Sequence, residues 1–258
     1  MGVLNATPDS FFPASRTLSP RLAVECAERM IADGADILDV GGESTRPGSQ
    51  PVTTAEEIER TAPVIERICD RFDVLVSIDT AKAEVARAAL DCGASIINDT
   101  SALQADPDMA DLAAARDALV ILMHMQGTPA TMQTAPQYAD VVCEVLDFLV
   151  DRARCAMERG IARDRIWIDP GIGFGKRLEH NLALLRNVGR IAASGYPVVV
   201  GVSRKSFLGE ILGLSVDDRL EGTIAAEAVA VAYGADVLRV HDVKEGRRAA
   251  DTARLLRR

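Results

Sequence analysis

Asn5, Asp39, Asp79, Asn98, His124, Asp169, Lys205, Arg239 and His241 are scattered over 258 residues, yet each stands at or beside the end of a short apolar run. A carboxylate accepts two parallel N–H bonds, an amide both donates and accepts, and cations attract phosphate oxygens. Gathered in a partly dry cup, the acids and amides suit a fused heterocycle with an amino-pyrimidinone edge. Lys205, Arg239 and His241, with Arg46, suit a phosphate or diphosphate on the same ligand. Asn5 is of the type to lend an oxygen to a Mg²⁺ bridging that diphosphate. Polar residues that merely stopped strands would be mixed, with many Ser and Gly; here acids, amides and cations stand at nearly every end.

The stretch Ile166–Lys176 shows the pattern most fully. Its apolar start suits a strand and is too short for a helix. Asp169 follows, held extended by Pro170. Gly171, Gly173 and Gly175 then let the main chain turn through positive φ or approach a ligand. Lys176 comes next, but without the spacing of a phosphate-binding Walker loop it is not read as a phosphate lysine. Asp39 reads as a residue that orients its neighbours, and His124 equally as a ligand contact or a packing residue.

Eight strands are predicted to carry these residues: Val3–Leu4, Asp36–Val40, Val74–Ile78, Ser95–Ile97, Ala118–Met123, Ile166–Ile168, Pro197–Val202 and Asp236–Val240. Eight helices are predicted to separate and close them. The first is capped by Ser19-Pro20, and the second opens on a capping box of Thr54 and Glu57. Later ones cover Pro107–Arg116, Leu178–Ala193, Asp217–Tyr233 and Lys244–Leu256, and Gly34, Gly93, Gly160, Gly195 and Gly234 stop helices just before strands. Strict alternation over about 250 residues predicts an α/β fold, a single (β/α)₈ TIM barrel spanning residues 1–258 with no linker. An open doubly wound sheet, with its switch point, is the alternative. In a barrel the strand C-termini meet on one face, and Arg239 and His241, alternating around Val240, point the same way.

Composition narrows the function. Apolar residues make up 48% and charged ones 26%, enough for a large core. The net charge of −9 lacks the basic stripe that nucleic acid needs, so an anionic substrate must be met by local cations. There is no apolar run of membrane-spanning length, and the first residues lack the features of a signal peptide. Five scattered cysteines without a Cys-x-x-Cys pair read as reduced thiols in a cytoplasmic protein.

Eight motifs, one per strand end, resemble the dihydropteroate synthase family. They are Gly-Val-Leu-Asn-Ala-Thr-Pro-Asp-Ser-Phe (2–11), Asp-Val-Gly-Gly-Glu-Ser-Thr-Arg-Pro-Gly (39–48), Ser-Ile-Asp-Thr (77–80), Ile-Ile-Asn-Asp (96–99), Leu-Met-His-Met-Gln-Gly (122–127), Asp-Pro-Gly-Ile-Gly-Phe-Gly-Lys (169–176), Gly-Val-Ser-Arg-Lys-Ser (201–206) and Arg-Val-His-Asp (239–242). The resemblance implies that 7,8-dihydropterin-6-ylmethyl diphosphate condenses with p-aminobenzoate, releasing diphosphate. It implies that Asp79, Asn98, Asp169 and Lys205 hold the pterin, with Phe174 near the ring, and that Arg239 and His241 grip the diphosphate while Asn5 binds Mg²⁺. Thr45, Arg46 and Pro47 would belong to a loop that helps form the p-aminobenzoate site. Lys205 and Ser206 would border that site, where sulfonamides compete, and a homodimer through the later helices is implied. The chain departs from the family pattern at Phe12-Pro13-Ala14-Ser15-Arg16, which replaces an acidic glycine loop and brings Arg16 to where an anion is expected. It also begins directly at the first strand. A methyltetrahydrofolate-dependent methyltransferase and a pterin-binding paralogue without turnover are the other readings; the cations at 204–205 and 239–241 favour the synthase, since a methyltransferase has no diphosphate to grip.

Overall fold

The computed structural model describes residues 1–6, 20–44 and 51–257. In chain order the elements are β1 (Gly2–Asn5), α1 (Pro20–Ala32), β2 (Ile37–Gly41), α2 (Thr54–Arg71), β3 (Leu75–Asp79), α3 (Ala83–Asp91), β4 (Ile96–Asp99), α4 (Met109–Ala115), β5 (Leu119–Met123), α5 (Val141–Glu158), β6 (Ile166–Asp169), α6 (Leu178–Arg186), α7 (Val188–Ala192), β7 (Val199–Val200), α8 (Ser206–Leu212), α9 (Leu220–Ala232), β8 (Val237–Leu238) and α10 (Val243–Leu256). Strands β1 to β6 pair in sequence order, all parallel. Three further links close the ring. Ile168 pairs with Val198 and its N–H donates to Pro197 O at 2.9 Å. β7 pairs with β8. Gly2 pairs with Val240, whose carbonyl accepts from the Val3 N–H at 2.9 Å. An open sheet would leave two edges; this one leaves none, so the barrel stands and the doubly wound alternative falls.

The period-2 rule shows why the chemistry converges. Leu38, Val40, Val76, Ile78, Ile97, Val120, Leu122, Ile166 and Ile168 belong to the large core between strands and helices. Ile37, Ile96 and Ile121 belong instead to a separate apolar plug with Met1 and Val199, against which Trp167 packs. Side chains two apart on a strand share a face. Asp39 therefore shares the plug face with Ile37, Asn98 with Ile96, Met123 with Ile121 and Asp169 with Trp167. The plug fills the barrel towards the strand starts, and the polar set points into it at the strand ends.

Several predicted boundaries move. β7 and β8 are two residues each rather than Pro197–Val202 and Asp236–Val240. Pro197 has no N–H to donate, and the Val198 N–H is taken by Asp236 Oδ2 at 2.8 Å instead of a ladder carbonyl. Among the described residues there are ten α-helices, not eight. The predicted Leu178–Ala193 helix breaks at Asn187, whose Nδ2 donates back to Ala183 O at 2.8 Å. α8 was not predicted; it is seven residues long and ends at Gly213 with φ 68°. A 3₁₀ turn occupies Val216–Asp218, so α9 starts at Leu220 rather than Asp217. The cap of α2 is Thr53, one residue before the predicted Thr54, accepting from the Glu56 N–H at 3.3 Å. The five stop glycines all have positive φ, between 80° and 116°, the left-handed C-terminal cap that glycine adopts most easily.

Candidate active site

Lateral register sets four residues at one level: Asn5 lies opposite Gly41, Gly41 opposite Asp79, and Asp79 opposite Asn98. Asp79, Asn98, Asp169, Phe174, Lys205, Arg239 and His241 line one narrow cavity of about 30 Å³, together with Thr100, Met123, Ile172 and Ser203. All five residues predicted to be catalytic are thus neighbours, although they come from β3, β6, the start of α8 and the chain after β8.

Arg239 organises one side. Its Nε donates to Asp39 Oδ2 at 2.6 Å and its Nη2 to Asp79 Oδ2 at 2.7 Å. Asn98 Nδ2 donates to the same Asp39 oxygen at 3.2 Å. Asp39 is fully buried and does not line the cavity, so it orients Arg239 and Asn98 as the sequence suggested. Arg239, expected to grip a diphosphate, has two of its three nitrogens committed to carboxylates, leaving Nη1. Burial disfavours its charge, but Asp39 and Asp79 outweigh this and hold the guanidinium above its ordinary range. Burial pushes the Asp79 carboxyl up, with Arg239 pulling it back.

Asp169 and Lys205 form the other side. Asp169 Oδ1 accepts the Gly171 N–H at 2.7 Å. Burial raises its carboxyl, opposed by that bond and by Lys205. Lys205 Nζ donates to Ile172 O at 2.7 Å and sits 4.0 Å from the centre of the Phe174 ring. Burial lowers its ammonium to about 8, with Asp169 resisting. Arg204, just before it, has φ 55°, a conformation that bulky side chains rarely adopt. The fold fixes Arg204 there by a two-pronged bond to Asp242, at 2.8 and 2.9 Å, and by its own N–H to Thr223 Oγ1 at 3.0 Å. The His241 N–H donates to Ser203 Oγ at 3.1 Å, and its Nδ1 lies 3.0 Å from the same hydroxyl.

Other predicted residues lie apart from the cavity. Ser206 is exposed at the first turn of α8, next to Lys205. Asn5 does not line the cavity either, but a methyl group placed on Gly41 would be 3.9 Å from both Asn5 Oδ1 and Asp79 Oδ2, so both oxygens lie beside that glycine. No cluster of three or more His, Cys, Asp and Glu suited to a metal occurs among the described residues. Thr45, Arg46 and Pro47, and Arg16 with its loop, lie outside the described residues. His124 is 7% exposed and packs edge-on against Phe148 at 4.9 Å, a packing role rather than a cavity contact. Burial, then Lys176, lowers its imidazole to about 3.

Two lysines have roles that the sequence reading does not assign. Lys82 Nζ donates to Glu43 Oε2 at 2.5 Å, Glu57 Oε2 at 2.6 Å and Val52 O at 2.7 Å. It walls a second cavity of about 490 Å³ that shares Asp79, Thr100 and Met123 with the first. Lys176 is 3% exposed and meets His124 Nδ1 at 3.0 Å. Its place directly after three glycines was the only signal, and that signal does not distinguish a buried lysine from a solvated one.

Comparison with known proteins agrees with this geometry. Residues 1–241 match the family model described as pterin binding enzyme. The dihydropteroate synthase of Escherichia coli K12 is 47% identical over 246 residues, covering 95% of this chain and 86% of that protein. That of Streptococcus pyogenes serotype M6 is 46% identical, covering 95% and 90%. Among solved structures, Yersinia pestis dihydropteroate synthase in a sulfonamide drug complex superposes with a TM-score of 0.95 at 40% identity, covering 100% of this chain and 93% of that one. The Xanthomonas albilineans enzyme in complex with 7,8-dihydropteroate gives 0.89 at 40% identity, covering 99% and 92%. A closed barrel, a cup of acids and cations at its strand ends and this likeness over nearly the whole length place the chain in the dihydropteroate synthase family of pterin-binding enzymes.

Proposed function

We propose that this protein joins 7,8-dihydropterin-6-ylmethyl diphosphate to p-aminobenzoate, giving 7,8-dihydropteroate and diphosphate in folate biosynthesis. The observation that carries the reading is the single cavity in which Asp79, Asn98 and Asp169 stand beside Lys205, Arg239 and His241. The carboxylates and the amide suit the N–H-rich edge of the pterin, and the cations suit its phosphates. The arylamine nucleophile is neutral at pH 7 and needs no strong base. Departure of diphosphate from the methylene carbon is the difficult event, and an electron-rich ring can share the positive charge that results. Asp79 and Asp169 stabilise that charge, while Arg239 and His241 meet the departing anion. Asn5 fits Mg²⁺ as one protein oxygen, with substrate phosphates and water as the natural remaining ligands; when bound, the ion would neutralise charge on the diphosphate. Thr45, Arg46, Pro47, Lys205 and Ser206 are the residues we assign to the p-aminobenzoate side, and Phe174, which lines the cavity with Asp79, Asn98 and Asp169, to the pterin ring.

Activity is tested by a coupled assay for diphosphate release with both substrates. Release that depends on p-aminobenzoate is expected. Binding of the pterin without release would favour the non-catalytic paralogue, and methyl transfer from methyltetrahydrofolate the methyltransferase.

We also propose a homodimer built on α8 and α9. α9 is apolar nearly all round; on it Val229 and Tyr233 are 45% and 48% exposed, and on α8 Ile211 and Leu212 are 48% and 47% exposed. Val229→Glu is expected to sediment as a monomer; a monomeric wild type would remove the proposal. The cytoplasm is the compartment we propose: all five cysteines are unpaired thiols, as a reducing environment keeps them. Among the described residues no helix is long and apolar enough to cross a membrane.

A further inference from the structure

The turn from Gly171 to Gly175 is held to an unusual degree. Its four carbonyls from Ile172 to Gly175 accept from four side chains in turn: Lys205 Nζ at 2.7 Å, Gln133 Nε2 at 2.8 Å, Lys176 Nζ at 2.9 Å and the Tyr138 hydroxyl at 2.8 Å. Main-chain packing reinforces this, since a methyl group on Gly171 would collide with the His124 carbonyl and one on Gly175 with that of Gln126. Lys205 belongs to the cavity already described. Lys176 lies behind the cavity wall and does not line it. Besides Phe174 O, its ammonium reaches His124 O at 3.2 Å and His124 Nδ1 at 3.0 Å. Three N–H donors thus meet three acceptors. With Lys176 donating to Nδ1, the neutral His124 carries its proton on Nε2.

A lysine in such a place is costly. No carboxylate touches it, and burial pulls its ammonium down to about 7, with Asp169 favouring the charge and Lys205 opposing it. An apolar residue would fill the space without that penalty, but it would leave Phe174 O and His124 O without their donor. The two carbonyls belong to the turn after β6 and to the end of β5, so the ammonium staples one to the other. Phe174 is the residue whose ring faces Lys205.

We propose that Lys176 is a positioning residue for the pterin pocket: by binding Phe174 O and His124 O it fixes the glycine turn, and through it the Phe174 wall against which the pterin lies. This rests on the synthase reading above. A wall that is already in place acts on ground-state and transition-state binding alike, so its loss raises KM and leaves kcat largely alone.

The test compares wild type with Lys176→Met in steady-state assays, and measures the affinity of both for 6-hydroxymethyl-7,8-dihydropterin by calorimetry. In Lys176→Met the KM for the pterin diphosphate and the Kd for the free pterin are expected to rise about tenfold or more, the scale of a lost charged hydrogen bond. kcat should stay within about threefold and the KM for p-aminobenzoate should barely move. Lys176→Gln, which retains two donors, should fall between, and it decides the matter if the Met variant does not fold. Pterin affinity equal to wild type overturns the inference. So does an equal loss in kcat and in both KM values, the mark of a general structural defect. If wild type binds the pterin but releases no diphosphate, the synthase reading fails while the calorimetric comparison still judges Lys176.

Discussion

Arg239→Met should cost about 3–5 kcal/mol of folding stability, the penalty for stripping a buried ion pair of one partner. The substitution leaves Asp39, fully buried, and Asp79, 9% exposed, facing each other without their cation. It also removes the group that Asp39 exists to orient. Urea unfolding of both proteins measures the effect. The pH dependence gives a second check. Without Arg239 the burial that already raises the Asp79 carboxyl acts without its main opponent, and holds it above the unfolded value near 3.9. The folded variant then binds more protons than the unfolded chain, so its stability falls as pH rises from that unfolded value through the raised folded one. The variant should melt closer to wild type at pH 5 than at pH 8, and adding Asp39→Asn should recover part of the loss. A variant as stable as wild type at pH 8 would mean that the three groups do not depend on one another.

Asp169→Asn is expected to weaken pterin binding by about 1–3 kcal/mol, roughly one to two powers of ten in Kd. The asparagine oxygen can still accept the Gly171 N–H that Asp169 Oδ1 now accepts at 2.7 Å. The turn is therefore retained and the loss falls on the charge offered to the ligand. The change also takes from Lys205 the carboxylate that supports its ammonium against burial. Calorimetry with the free pterin separates affinity from turnover. Unchanged affinity would remove Asp169 from the binding set, whatever happened to the rate.

Most of this arrangement was legible in the sequence because it follows from periodicity. Asp79, Asn98 and Asp169 were recognisable as chemical residues because each ends an apolar run, and a barrel sends such ends to one rim. Asp39 was readable as an orienting residue, and Arg239 beside it as a cation, but their pairing was not: β2 and β8 carry no mark of which acid meets which base. The role of Lys176 is not legible because two of its three partners are main-chain carbonyls, which every residue has and no sequence advertises. α8 was missed because seven residues interrupted by Gly209 give no helical period. β7 and β8 were read too long because one side chain, Asp236, takes the place of a ladder carbonyl at Val198.

The ion pairs made by Arg239 join residues 200 and 160 positions apart. Its strand is the last of the eight to leave the ribosome. Until then, Asp39 and Asp79 have no positive partner, and adjacent strands bearing them repel each other where they must be driest. Assembly of the binding cup and locking of the ring are therefore one late event, dominated by distant contacts of the slow-forming kind. A polypeptide stopped short of Arg239 would be more than an incomplete ring: it would carry two opposed negative charges at its centre, a species for chaperones and proteases to recognise.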